Sequence, residues 1–491
     1  MGKLLASNLL RFLKVRGLYR EVVEQDRLTN VKPQIRKDIQ NLLASVNQNS
    51  PFFSGKFTQF LSDNADVDDA VFFAEYAKLP AFSKQDYAQA GVQMMPKELA
   101  DKVDELELKF EKPVETFSRL RSGDFIMPMA TGGSTSLPLK VQMTKHHMFS
   151  MLFTFFKCWY RMGWRPGEKM LVFYPRNTYN IDDLAEFNHL QWLSGFKIHL
   201  FDRIDKDTIA GLVDDLNSYK PKMLLVFPSP LNMIAETIRK HNLPLVHHPE
   251  LINTSGETFF DCQRKNAASV FTGSKIEDSY GSVELGEIAH EVDDGLEVFS
   301  NVAYVETAPN ENGKPEMIVT SLKMTEFPFI RYKMKDIADI EFRTSPNGEE
   351  RFVIKNIEGK DSNYILSFSG ERFYPSFFNR FVNELNAEFD DAIAEIKVYE
   401  RGQREIEVTY IVKEGTDKDA IRDATVRSLN EKMGEGMQYT VQFVDFIDHD
   451  YRRKYRVIER IGDVEYAGGI VGDQQKLAAI GQGNSTEEAK S

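Results

Sequence analysis

Cysteine is almost absent. Cys158 and Cys262 are the only two in 491 residues, too few and too far apart for a disulfide framework or a cysteine-built zinc site. No apolar run reaches the ~18 residues that a membrane-spanning helix needs. Positive charge is also in deficit: 61 Lys and Arg stand against 74 Asp and Glu, a net charge of −13. That balance argues against a general nucleic-acid binder, whose affinity comes from cations neutralising phosphates. It leaves room for a local basic pocket holding one phosphorylated ligand. Internal repeats and the GxxxxGK[ST] spacing of nucleotide hydrolases are missing too. His146-His147 and His247-His248 are adjacent pairs, and neighbouring side chains do not face one site on a helix or strand, so no metal centre is expected from them. These absences lead to the expectation of a cytoplasmic protein in a reducing compartment.

What is present describes a packed globular chain: 42% hydrophobic, 12% aromatic and 27% charged residues. The length exceeds the roughly 50–250 residues of a single core, so at least two domains are expected. At the N-terminus, Met1–Arg20 mixes leucines with Lys3, Arg11, Lys14, Arg16 and Arg20. Arg11 interrupts the apolar stretch and no small-residue cleavage site follows, so a secretory signal is not expected. Two readings stay open there: a helix packed on its own domain, and a basic amphipathic helix contacting an anionic membrane surface.

From about residue 165 to 290, short apolar runs alternate with helical patterns, the mark of βα units in a largely parallel sheet. Lys169–Tyr174, Phe196–Phe201, Met223–Phe227 and Leu251–Asn253 read as strands, and Asp182–Leu193, Asp205–Tyr219 and Leu231–Lys240 as helices opened by Asp or Pro signals. Ligands of open parallel sheets bind beyond the carboxyl ends of the strands, which directs attention to Pro175, Asp202, Pro228–Pro230 and Thr254–Glu257. After about Glu316 the pattern turns to hairpins, with Ala338–Arg343 and Arg351–Ile354 flanking the turn Ser345–Gly348. The expected fold class is α/β: residues 1–358 as a large region of parallel-type sheets and helices with a small β-rich subdomain, 359–461 as a small mobile α+β domain containing the strand Glu405–Val412, and 462–491 as a mobile polar tail.

Four segments carry chemistry. In Ala130–Val141 (ATGGSTSLPLKV), adjacent glycines precede hydroxyl residues, so backbone amides and side-chain donors can converge on an anion; a flexible Gly/Ser linker is the plain alternative. In Ser279–Glu291 (SYGSVELGEIAHE), Tyr280 offers a flat ring and Glu284 a hard oxygen suited to Mg²⁺; the alternative is a loop entering a helix, with Glu284 an ordinary first-turn acid. In Phe329–Ile337 (FIRYKMKDI), Asp336 can accept from both hydroxyls of a ribose, against the simpler reading of a strand with a solvated basic face. Ile357–Pro375 (IEGKDSNYILSFSGERFYP) has the glycines and charges of a hinge. The ring-rich Phe149–Tyr160 reads as a buried helix, with an acyl or aryl pocket wall as the alternative.

In this order the segments resemble the adenylate-forming enzyme superfamily, and most closely its phenylacetate–CoA ligase-like group, which includes capsular-polysaccharide biosynthesis adenylyltransferases. Thr131–Pro138 is similar to the phosphate loop T-[SG]-G-S-T-G-x-P, Tyr280–Glu284 to Y-G-S-T-E, Arg331–Asp336 to R-Y-R-T-G-D, and Gly359–Pro375 to G-R-x-D-D followed by a glycine and F-P. Ser50–Phe53, Leu79–Asp86, Tyr174–Asp183 and Thr254–Glu257 add to the likeness, which covers roughly residues 30 to 460. Ser136, Val283, Lys335, Lys360 and Ser362 depart from the pattern.

The resemblance implies a ligase in which a carboxylate attacks the α-phosphate of ATP, giving an acyl adenylate and pyrophosphate, after which CoA or another thiol displaces AMP. Alternatives are transfer to a protein cysteine or an amine, and a noncatalytic protein of surface-polysaccharide synthesis that keeps the fold. The implied cofactors are ATP and Mg²⁺, with CoA or a thiol-bearing carrier as second substrate. By the same resemblance Thr131, Gly132, Gly133, Ser134 and Thr135 would hold phosphates, Gly256 and Glu257 would lie along the adenine, and Tyr280, with Gly281 and Ser282 beside it, would stack on the base. Glu284 would ligate Mg²⁺ and Asp336 the ribose. Gly359–Ser362 would be the hinge, and Lys454 in Asp450–Ile458 (DYRRKYRVI) the charge-stabilising lysine, a one-residue shift putting Arg453 there instead. Arg331, Lys333, Arg453 and Lys454 would supply local positive charge for the nucleotide.

Overall fold

A computed structural model of the chain describes residues 17, 20–23, 30–107, 125–130, 139–175, 195–344, 348–447, 455–461, 465–466 and 469–470. Thr131–Thr135, the helix expected at Asp182–Leu193, Arg453, Lys454, and most of Met1–Arg20 and of the tail lie outside the described residues.

Near the N-terminus, α1 (Lys32–Asn49) and α2 (Asp69–Tyr76) precede a ribbon of β1 (Ile126–Ala130) and β2 (Lys140–Thr144). Thr144 then caps α3 (Lys145–Met162) by accepting the His147 N–H at 3.1 Å. One face of α3 buries Phe153, Phe156 and Trp159, so the ring-rich helix is core.

The parallel half of the main sheet consists of β3 (Met170–Pro175), β4 (Phe196–Phe201), β5 (Met223–Val226), β6 (Leu251–Ser255) and β7 (Lys275–Ser282), in spatial order β4-β3-β5-β6-β7. Connecting them are α4 (Lys206–Tyr219), α5 (Pro228–His241) and α6 (Asp261–Val270). Asp205 caps α4 by accepting the Thr208 N–H at 2.9 Å, and prolines tolerated in a first turn open α5. Alternate residues of β3 enter different cores: Met170 and Val172 pack with α3, Leu171 and Phe173 with α4 and α5. A sheet covered on both faces needs such continuous apolar strands, which is why this region is readable in sequence.

Beyond β7 the sheet turns antiparallel through β8 (Gly286–Val292), β9 (Gly295–Val298), β10 (Ala303–Pro309), β11 (Pro315–Ser321), β12 (Tyr332–Thr344) and β13 (Glu350–Lys360), giving eleven strands among the described residues. The expected hairpin strands are the outer parts of the longer β12 and β13. Gly359 and Lys360, expected in a hinge, lie in β13, where they pair with Ile337 and Asp336.

The C-terminal residues build their own unit. β14 (Ile393–Gly402), β15 (Glu405–Val412), β16 (Gln438–Phe443) and β17 (Ile458–Arg460) form a mixed sheet in order β16-β15-β14-β17, covered by α7 (Pro375–Glu388) and α8 (Lys418–Met433). Its core includes Phe378, Phe381, Ile396, Tyr410 and Leu429, and it also takes in Phe260 and Cys262 from the start of α6. Among the described residues, no helix is long and apolar enough to cross a membrane.

Candidate functional site

The carboxyl ends of the parallel strands and the first antiparallel hairpin meet at one place. At the end of β6, Thr254 Oγ1 donates to Asp278 Oδ1 at 2.8 Å and Ser255 Oγ to Glu287 Oε1 at 2.8 Å. Gly256 follows with φ +83°, a turn conformation that glycine adopts without strain. Glu257 Oε2 accepts from Ser229 N (3.1 Å) and Ser229 Oγ (2.7 Å), and its Oε1 from the Tyr455 N–H (2.8 Å). The carboxylate of Glu257, expected along an adenine, is therefore engaged by protein groups, leaving its backbone and Gly256 as the parts able to face a base.

Tyr280, Gly281 and Ser282 end β7, and Glu284 sits in the turn to β8. The loop-to-helix alternative for Glu284 is thus replaced by a tight antiparallel hairpin. A Cβ on Gly281 would overlap the Gly286 carbonyl, and one on Gly286 would overlap Thr154 Oγ1 on α3. Both glycines serve close packing, which fixes where the turn projects Glu284.

Two carboxylates and two phenols converge beside this turn. Tyr280 OH donates to Asp336 Oδ2 at 2.6 Å, and Lys360 Nζ donates to the same oxygen at 2.8 Å and to the Met334 carbonyl at 2.9 Å. Tyr332 OH donates to Glu284 Oε1 at 3.3 Å. Glu284 is 8% exposed and Asp336 7%. Burial, reinforced by the nearby carboxylates, pushes both phenols well above the ordinary tyrosine value, so they remain donors. The Ser282 hydroxyl is buried without a hydrogen-bond partner among the described residues. Buried polar groups are normally satisfied, so an orphan here fits a site completed by a polar ligand.

Glu284 has the chemistry of a Mg²⁺ ligand, a hard oxygen held by one long hydrogen bond. No group of three or more metal-binding side chains occurs among the described residues.

The basic cluster divides differently from expectation. Arg331 is no nucleotide cation: it is 3% exposed, its Nε donates to Glu306 at 2.8 Å, and its Nη1 donates to the Leu79 carbonyl. Lys335 has φ +65°, where glycine is at ease, and its half-exposed side chain turns outward to Glu316 Oε1 at 3.6 Å. It does not crowd Asp336. Burial lowers His147 to about 4 and His290 to about 3. Cys262 belongs to the core of the C-terminal unit.

Sequence reasoning missed Tyr332 and the Lys360–Asp336 contact, and it pointed to the Pro228–Pro230 loop without giving Ser229 its partner Glu257. Tyr332 lies inside a motif but carries no signal of its own, and Lys360 reaches Asp336 only through the β12–β13 register.

No family model matches the chain. Protein CapK of Staphylococcus aureus is 26% identical over 165 residues, 33% of this chain and 36% of CapK, so the match spans about a third of that relative. Among solved structures, a 2-hydroxyisobutyryl-CoA ligase in the postadenylation state with R3-HIB-AMP aligns with a TM-score of 0.63 at 16% identity, covering 92% of this chain and 91% of that one. An open conformation of this ligase with 2-HIB-AMP and CoA gives 0.50 at 16% identity, over 87% and 91%. The chain has the fold of the adenylate-forming CoA ligases.

Proposed function

We propose that this chain, carrying the adenylate-forming fold, activates a carboxylic acid with ATP through an acyl-AMP intermediate and passes the acyl group to CoA or another thiol. The observation that carries the proposal is the joining of Glu284, Asp336, Tyr280 and Tyr332 beside the strand ends of this fold. In a reaction of this kind the carboxylate is already a competent nucleophile, so the protein's work is positioning and charge stabilisation.

In this reading Asp336, oriented by Tyr280 and Lys360, binds the ribose with the oxygen those groups leave. Gly256 and the Tyr280 ring flank the base, while Thr131–Thr135 hold phosphates. Glu284 holds Mg²⁺, which offsets phosphate charge when bound. Lys454 supplies positive charge to the transferring groups, and residues 359–461 move relative to the larger part between half-reactions. A phenylacetate–CoA ligase-like preference and a cytoplasmic location, where ATP and CoA are supplied, complete the proposal.

A second reading, a noncatalytic surface-polysaccharide protein that keeps the fold, draws on Asp336 Oδ2 already receiving two protein donors. Acid-dependent pyrophosphate release, measured with ATP, Mg²⁺ and a panel of carboxylic acids with and without CoA, separates the two. Release that depends on the acid supports the ligase. No release across the panel, together with no ATP binding by calorimetry, sinks it. Release without any effect of CoA points to a protein or amine acceptor.

A further inference from the structure

The loop between β6 and α6 joins the main sheet to the C-terminal unit. Its Glu257 accepts the Tyr455 N–H at 2.8 Å, and Ser229 fixes the other carboxylate oxygen through its N–H and hydroxyl. Four residues on, Asp261 Oδ2 accepts from Asn383 Nδ2 at 2.5 Å and Asn379 Nδ2 at 3.3 Å, and its N–H donates to Asn379 Oδ1 at 3.0 Å. Between and beside these contacts, Phe260 (1% exposed) and Cys262 (2%) are buried in the core of the C-terminal unit.

We propose that Glu257 is a positioning residue: its carboxylate docks the backbone of Tyr455 onto the β6–α6 loop and thereby keeps the C-terminal unit seated over Phe260 and Cys262. A carboxylate accepting a backbone N–H makes a charge-assisted bond. Because Ser229 already holds the carboxylate, little side-chain freedom is lost when Tyr455 arrives. Unseating the unit would break that bond and expose the apolar surface of Phe260, so the docked population depends on both. Tyr455 directly follows Lys454 in sequence. The consequence that docking brings the lysine segment to the nucleotide rests on the adenylation reading; the docking itself does not.

The chain's only two cysteines report on the contact. Cys158 is 0% exposed in the core of the large part, and Cys262 lies at the docked surface. Burial pushes both thiols up, so in the docked state both react slowly. Alkylation by iodoacetamide, quantified for each cysteine by peptide mass spectrometry, needs no ATP or acid, so its outcome is independent of whether the chain adenylates anything. In Glu257→Ala the Cys262 rate should rise roughly tenfold or more while Cys158 stays at the wild-type rate, the pattern of a local opening. An unchanged Cys262 rate in a folded Glu257→Ala protein overturns the proposal. If Glu257→Ala raises both rates through misfolding, Glu257→Gln decides, because it removes the charge and replaces by an amide donor one of the two oxygens that Ser229 and Tyr455 share. A smaller rise confined to Cys262 supports the docking role, and no rise overturns it.

Discussion

Asp278 shows how a single residue acquires an unusual proton affinity. Burial raises its carboxyl to about 8, with Glu291 and Glu287 adding to the rise while the Thr254 hydrogen bond and Arg264 oppose it. A carboxyl whose folded value lies above its unfolded one keeps its proton in the native state while the unfolded chain has lost it. Stability from this group is therefore highest below about pH 4 and falls as pH rises toward 8. Asp278→Asn keeps an acceptor for Thr254 and should be more stable than wild type by about 1–2 kcal/mol at pH 8, converging with it near pH 4. Urea denaturation across that range checks the sign. At Lys335 the issue is the backbone. Glycine and valine there both lose the contact to Glu316, so their difference isolates the φ +65° conformation. Lys335→Val should be less stable than Lys335→Gly by roughly 1–3 kcal/mol in the same assay. Glu284, Asp336 and Tyr280 were legible in sequence because motif order singles them out. Asp278 was not, since it matters only through neighbours that folding supplies.

The β7–β8 hairpin is the element that delivers Glu284, and its turn was not legible. Val283, Glu284 and Leu285 carry none of the Asn-Gly or Asp-Gly signals of two-residue hairpins, so a loop entering a helix fitted equally well. The structural reason for the turn lies in Gly281 and Gly286, whose missing side chains allow β7, β8 and α3 to approach closely. Gly281→Ala forces the two strands apart at the bulge between Tyr280 and Gly281. It should destabilise the protein by about 2–3 kcal/mol and weaken Mg²⁺-dependent ATP binding more than Mg²⁺-independent binding, measured by calorimetry. The parallel strands β3 to β6, in contrast, were found within one or two residues, because two-sided burial leaves uninterrupted apolar runs; β7, with Glu277, Asp278 and Ser279 in it, was not. The antiparallel β12 and β13 were recognised only in their outer halves. Their inner halves hold the basic cluster, which reads as a ribose site or a solvated strand, and Gly359, which reads as a hinge; only the register that pairs Lys360 with Asp336 joins the two.

At the scale of the molecule, the scarcity of cysteine and the net charge of −13 take on specific meaning. The two thiols sit in separate cores, Cys158 in that of the larger part and Cys262, from α6, in that of the C-terminal unit. Positive charge at the site is spent sparingly: Lys360 meets Asp336, while Arg331 is locked into the β10–β12 framework through Glu306. On the proposed adenylation reading Lys454 gives further cationic assistance, so Lys454→Ala should lower acid-dependent pyrophosphate release by at least ~10-fold and more than Arg453→Ala does. Equal activity of Lys454→Ala and wild type would show that the lysine assignment is wrong. Glu284→Gln should impair adenylation by about 100-fold at limiting Mg²⁺. The most direct test of the acyl-adenylate reading follows an oxygen atom. The acid giving the strongest pyrophosphate release is supplied with oxygen-18 in its carboxylate, and the AMP formed after thiol transfer is analysed by mass spectrometry. The account predicts one labelled oxygen in AMP, because the carboxylate oxygen that attacked the α-phosphate stays with it. Unlabelled AMP, or no turnover with any acid, would contradict it.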